Sequence, residues 1–124
     1  MDLAVASEDL QKTIEVLRDE GFQCEEFEWS VNFKGDSKVG IQLSTEDVYL
    51  SFSERAVPAD VHGILMRVAS LEDTLLGKTL EWRDQSRRQS KRAKDFADIA
   101  RLVESHPKLW EGLDDDLQEL VEKP

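Results

Sequence analysis

One stretch of this sequence constrains the fold more than any other. Phe27, Trp29, Val31 and Phe33 alternate with Glu26, Glu28, Ser30 and Asn32. A period of two puts one set of side chains on each face of an extended chain, so residues 27–33 read as a half-buried strand. Gly35-Asp36-Ser37 supplies a turn, and Val39, Ile41 and Leu43 alternate with Gly40, Gln42 and Ser44 as the hairpin partner. A hairpin with one apolar face needs a second layer to cover it.

The flanking segments offer helices for that layer. Residues 3–6 are a short apolar run. Ser7 then reads as an N-cap, with Glu8 and Asp9 where the helix dipole favours acids. Leu10, Ile14 and Leu17 recur at i, i+4, i+7, and Gly21 ends the helix. Residues 45–55 read either as a short helix capped by Thr45 or as a strand over 48–52, and the helix is favoured. Residues 56–63, with Pro58, read as a loop, and Ile64, Met66 and Val68 as a further strand. Ser70 to Asp73 resembles a capping box opening a helix over 71–82. A second box at Ser86 and Gln89 opens one running to about residue 105, where Pro107 stops it. A last short helix is expected over 116–122. The sum is an α+β arrangement: one domain over residues 1–124, with a small mixed or antiparallel sheet packed by helices.

Composition narrows the function classes. With 40% hydrophobic and 35% charged residues, the chain is globular rather than disordered. A net charge of −11 repels nucleic acid and anionic membranes, so strong binding to either is not expected. The charge is uneven. Residues 83–101 hold seven basic and three acidic residues, +4 against −15 for the remainder, so a local anion site fits a protein that is acidic overall. The single cysteine, Cys24, excludes an internal disulfide. No apolar run approaches the roughly 20 residues of a membrane span, and the N-terminus lacks the basic start of a signal peptide. A bacterial-type cytoplasmic location is the default expectation.

Chemistry concentrates near the C-terminal helices. Leu71, Leu75, Lys78 and Trp82 fall on one face of their helix, with Leu76 and Leu80 as a second apolar stripe. Lys78 therefore either buries its stem and sends its ammonium out to water, or meets a phosphate or carboxylate in a cleft. On the next helix Phe96, Ile99, Ala100 and Val103 form the core face, and Arg92 projects toward it. Lys91 with Asp95, and Lys94 with Asp98, stand at i, i+4. That face reads either as a solvated, salt-bridged surface or as a triphosphate contact. Asp2, at the edge of the first strand, is the candidate ligand for Mg²⁺, although two-metal phosphoryl transfer needs several converging carboxylates. The run Asp114-Asp115-Asp116 reads as a cap for the last helix.

Taken together, Val68-Ala69-Ser70-Leu71-Glu72-Asp73, then Lys78, then Arg92-Ala93-Lys94-Asp95-Phe96-Ala97-Asp98-Ile99 resemble the C-terminal signature of the abortive-infection (AbiEii-like) nucleotidyltransferases of toxin–antitoxin systems. The opening Asp2-Leu3-Ala4-Val5 is similar to the end of that family's D-x-D strand. The resemblance implies a nucleotidyltransferase-like fold, a nucleoside triphosphate ligand and Mg²⁺. It implies Asp2 as metal ligand and catalytic carboxylate, and Lys78, Arg92, Lys94, Asp95 and Asp98 as nucleotide-binding residues. It also exposes departures. The glycine turn and first carboxylate of the family would precede Met1, and the strand over 39–44 has no acid where a third carboxylate is expected. The expectation is therefore a nucleotidyltransferase-like module of a toxin–antitoxin or defence system that binds a nucleotide or a partner without transferring. The alternatives are an active Mg²⁺-dependent enzyme whose native chain is longer at the N-terminus, and a plain α+β interaction domain. An exposed first strand would also favour a homodimer that covers it.

Overall fold

The computed structural model describes residues 2–5 and 7–124; the side chain of Ser7, and with it the expected N-cap, lies outside the described residues. The chain forms two compact units, Met1–Ser70 and Leu71–Pro124.

The first unit is built on a mixed four-stranded sheet. Strands β1 (Asp2–Ala4), β2 (Gln23–Glu26), β3 (Ser30–Lys34) and β4 (Ile41–Ser44) lie in the order β1-β4-β3-β2. β1 runs parallel to β4 and the other pairs are antiparallel. Helix α1 (Leu10–Asp19) covers the sheet with the face its periodicity predicts: Ile14 is buried among Val31, Phe33 and Leu43, and Leu10 and Leu17 pack at the edge. Gly21 ends it at φ +93°. There the Phe22 N–H donates to the Leu17 carbonyl and the Gly21 N–H to that of Arg18, closing the helix, and both Leu17 and Phe22 pack against the buried cluster of the sheet.

The central alternation is right in its second half and wrong in its first. Val31 and Phe33 are buried, but Phe27 and Trp29 are 51% and 56% exposed. The Phe27 N–H donates to the Ser30 carbonyl at 2.7 Å. Residues 27–30 thus turn the chain from β2 into β3 rather than continuing one strand. Val39, expected in the partner strand, precedes β4 and is exposed.

Residues 47–55 are helical as favoured, with α2 (Asp47–Leu50) followed by a 3₁₀ turn over Ser51–Arg55, but Glu46 rather than Thr45 takes the N-cap position. The expected loop over 56–63 is instead largely a strand, β5 (Val57–Val61), paired antiparallel with β6 (Ile64–Val68). Pro58 suggested a loop because it removes a donor, yet every strand of a two-stranded ribbon has an open edge where that loss is harmless. His62 and Gly63, at φ +52° and +84°, make the two-residue turn, and the Gly63 N–H donates to Asp60.

The second unit is helical: α3 (Leu71–Arg83), α4 (Gln89–Ser105), a 3₁₀ segment over Pro107–Gly112, and α5 (Asp115–Leu120). Leu75, Ile99, Val103, Leu109, Leu113, Leu117 and Val121 form its core. The Ser86 capping box does not form. The Ser86 N–H and hydroxyl both donate to the Asp84 carboxylate, which lies below the ordinary aspartate range for that reason, and α4 starts only at Gln89. Asp114 occupies the N-cap position of α5 but makes no side-chain cap bond. Its carboxylate and that of Asp116 accept from Arg83, so the acidic run ties the end of α3 to the start of α5.

Candidate functional site

Helices α3 and α4 pack side by side in opposite senses, with Trp82 meeting Arg92 and Lys78 meeting Asp98. Between them lies a cluster of charge. The Lys78 ammonium stands 3.1 Å from Asp98, 3.8 Å from Asp95 and 3.7 Å from Glu81. Asp95 is almost wholly buried, 1% exposed. Arg87 grips it with both ends of its fork, Nε to Oδ2 at 2.7 Å and Nη2 to Oδ1 at 3.3 Å. Asp98 accepts Lys78 on one oxygen and Arg101 on the other, the latter at 3.0 Å. Lys78, although on an apolar stripe, thus delivers its ammonium into carboxylates.

The i, i+4 pairings expected along α4 give way to contacts across the hairpin. Asp95 is held by Arg87 rather than Lys91. Lys94 is exposed and acts on Asp98 only through Coulomb attraction. Arg92 donates its Nε to the Trp82 carbonyl at 2.8 Å, pinning the last turn of α3 to the first turn of α4. Three participants had no sequence assignment. Glu81 and Arg101 stand three residues after Lys78 and Asp98, a spacing that places them beside those residues. Arg87 lies in the connection between helices, where no periodicity points to a partner.

The electrostatics follow from this packing. Burial pulls the Lys78 ammonium down, but the Asp98 hydrogen bond and the charges of Glu81, Asp98 and Asp95 outweigh it and leave its pKa raised. Lys78 is therefore a firm cation, unsuited to act as a base. Burial pushes the Asp98 carboxyl up, yet the Lys78 hydrogen bond and the charges of Lys78, Lys94 and Arg101 hold it below the ordinary range. Glu81 goes the other way, raised by burial and by Asp95 against the pull of Lys78 and Arg87.

A depressed carboxyl stabilises the fold above its unfolded value, about 3.9, and that contribution is lost as pH falls through the folded value. A raised carboxyl does the reverse: its ionised form weakens the fold at neutral pH, and the penalty lifts as pH falls through the raised value. Asp98→Asn is thus expected to lower the melting temperature at pH 7 and Glu81→Gln to raise it. The Glu81→Gln difference should close as pH falls past the ordinary glutamate value, about 4.3, whereas the Asp98→Asn difference should begin to shrink only below about 3.9 and close once the depressed Asp98 value is passed. Melting curves from pH 3 to 8 check this; equal signs for the two variants would contradict it.

Asp2 belongs to the first unit. It is exposed on β1, and strand register sets it opposite Gln42, which pairs with Asn32, which pairs with Glu25. These four side chains form one polar row across one face of the sheet. Its two carboxylates stand at opposite ends, three strand spacings or about 14 Å apart, with two amides between. A magnesium pair needs oxygens converging on ions about 3.5–4 Å apart, so this row does not fit one. Among the described residues no group of three or more His, Cys, Asp and Glu side chains converges on a metal position. The Asn32 Oδ1 atom within the row is buried and has no hydrogen-bond partner among the described residues. Also among the described residues, no helix is long and apolar enough to cross a membrane.

The family model described as Nucleotidyl transferase AbiEii toxin, Type IV TA system, matches residues 3–123. No curated protein matches the chain.

Proposed function

We propose, from the premise that this chain belongs to the AbiEii nucleotidyl transferase toxin family, that it is a nucleotide-binding module of a toxin–antitoxin system which does not transfer the nucleotide by itself. The observation that carries this reading is the Lys78 cluster. A lysine kept cationic by three carboxylates, one locked by Arg87, is a preorganised point charge in a helical groove. Lys78, with Lys94 on the adjoining face of α4, meets the phosphates of a nucleoside triphosphate. Asp95 and Asp98 orient these lysines, and Arg92 fixes the helix pair that presents them. The Lys78 pairs with Asp98 and Glu81 are part-exposed and worth about 0–1 kcal/mol each, so a phosphate can exchange with them.

The non-catalytic half of the proposal rests on the sheet. As the family resemblance implies, Asp2 is the carboxylate of the sheet that would hold a divalent ion such as Mg²⁺. Gln42 and Asn32 beside it offer neutral amide oxygens, which neither neutralise a second ion nor align an attacking group. The second reading, a Mg²⁺-dependent transferase, is favoured by family membership alone.

Calorimetry with Mg²⁺ and each of the four nucleoside triphosphates tests the proposal. Binding of at least one is expected. Lys78→Ala is expected to abolish it while leaving the helical signal in circular dichroism intact. No heat with any of the four would leave a plain α+β interaction domain. Labelled product formed by these 124 residues would overturn the non-catalytic half.

A further inference from the structure

The four-stranded sheet ends on β1 and β2, and among the described residues no third strand pairs with the ribbon β5–β6. An open edge offers its N–H and C=O groups to any extended chain. β1 is protected by its length, three residues, and by Asp2. β2 is protected by the acids Glu25 and Glu26. The ribbon is not protected in this way. Ile64 and Leu65 on β6 are 64% and 79% exposed, and no residue of β5 or β6 is buried. A two-stranded ribbon by itself is marginal in water and is stabilised by further strands.

The turn decides which backbone groups are open. His62 and Gly63 both have positive φ, so the Val61 carbonyl accepts from the Ile64 N–H across the turn. Bonded and non-bonded pairs alternate from there. Val61–Ile64, Ala59–Met66 and Val57–Val68 are the bonded pairs, and Pro58, Asp60, Leu65 and Arg67 aim their backbone groups outward. Pro58, which has no N–H, falls on an outward position. It blunts the β5 edge. The β6 edge has no such device, and the N–H groups of both Leu65 and Arg67 point out of it.

The occupant follows from register. Two β6 strands meeting antiparallel must bring outward residues opposite one another. Leu65 opposite Arg67 of a second copy meets that condition, and the two-fold axis then passes between the two Met66 residues. Four backbone hydrogen bonds form, two from each Leu65–Arg67 pair. On one face Val57, Ala59, Val61, Ile64, Met66 and Val68 of both copies join into a continuous apolar surface, and the exposed Ile64 gains Val68 of the second copy. On the other face each row across the four strands reads Pro58, Arg67, Leu65, Asp60, one cation and one acid. Sliding by two residues one way sets Arg67 opposite Arg67, like charges that destabilise the pair. Sliding the other way sets Arg67 against Gly63 in the turn. Charge favours the same place on the molecule: residues 57–68 hold one aspartate and one arginine and are neutral, in a chain of −11, so two copies repel each other least here.

We propose that β6 is a homodimer surface, and that two copies of this chain join their ribbons into one four-stranded antiparallel sheet with Leu65 opposite Arg67. The contact is isologous and closes at two copies, because the outer strands of the joined sheet are the proline-blunted β5 edges. The proposal stands apart from the nucleotide reading and uses none of its residues.

Sedimentation equilibrium over a rising concentration series, joined to cysteine crosslinking, tests it. The purified chain is expected to pass from monomer to dimer and no further. Leu65→Pro removes an outward N–H and leaves the ladder within the ribbon intact. It takes away two of the four bonds between copies and is expected to raise the dissociation constant more than about tenfold. In a Cys24→Ser background, Met66→Cys places two thiols on a non-bonded pair with Cα atoms about 4.5 Å apart, within disulfide reach. Leu65→Cys, although more exposed, sets its copies about 9 Å apart, beyond it. Mild oxidation is therefore expected to link the Met66→Cys chains and not the Leu65→Cys chains. A chain that stays monomeric at the highest concentration overturns the proposal. So does a dimer that Met66→Cys does not link, or equal linking of both variants, which would mean random encounter. If Leu65→Pro does not fold, the two cysteine variants decide alone.

Discussion

Replacing Asp95 by alanine is expected to destabilise the protein by about 3–5 kcal/mol, the range for breaking a buried ion pair from one side. Asp95 is 1% exposed, and its carboxylate takes both ends of the Arg87 fork while standing 3.8 Å from Lys78. Alanine removes the acceptor and leaves the cations. Arg87 keeps 29% of its side chain exposed and recovers some water, which draws the loss toward the lower end. Lys78 keeps Asp98 and Glu81.

The pair itself is a different quantity from its rupture. Arg87→Ala combined with Asp95→Ala should cost clearly less than the two singles added, because the double variant strands no charge. Urea denaturation measures both, through a lower midpoint with an unchanged slope. A loss under about 1 kcal/mol for Asp95→Ala would mean that the carboxylate is already solvated. The cluster would then not be the rigid support that the nucleotide proposal requires.

Sequence periodicity carried most of the helical unit, and for a physical reason. Leu75, Ile99 and Val103 bury themselves against neighbours on the same short hairpin, so local pattern and tertiary packing agree. The sheet was less legible. The alternation from Phe27 to Phe33 is uninterrupted, yet the chain turns at residues 27–30, and a residue pattern carries no information on where backbone hydrogen bonds reverse. Pro58 concealed β5 because its cost depends on which edge it faces. At the candidate site, the signature supplied Lys78, Asp95 and Asp98 as a group. It could not supply Arg87, which reaches Asp95 from a connection without helical spacing. Nor could it show that the acids at 95 and 98, three apart on one helix, share Lys78 while each takes a guanidinium of its own, Arg87 and Arg101. The Ser86 box failed through competition, since Asp84 offers the same N–H a closer acceptor.

Phe33→Ala is expected to cost about 3–5 kcal/mol, the usual range for removing a buried aromatic ring. Phe33 is fully buried on β3, paired across the sheet with Ile41 on one side and Cys24 on the other. It is the largest side chain in a core whose other buried members are Ile14, Val31 and Leu43. With so few residues sharing the burial, collapse around the cavity is limited, because each neighbour is fixed by its own strand register or by the face of α1. Amide hydrogen exchange reads the result residue by residue. Protection across β3 and β4 should fall by the full amount, and a loss below about 1.5 kcal/mol would show that the sheet repacks. The same measurement tests domain count. We propose that residues 1–124 unfold as one domain, so that slow exchange in α4 should accelerate along with that in β4. If protection at Ile99 and Val103 is untouched by a cavity at Phe33, the chain is two cooperative units and not one.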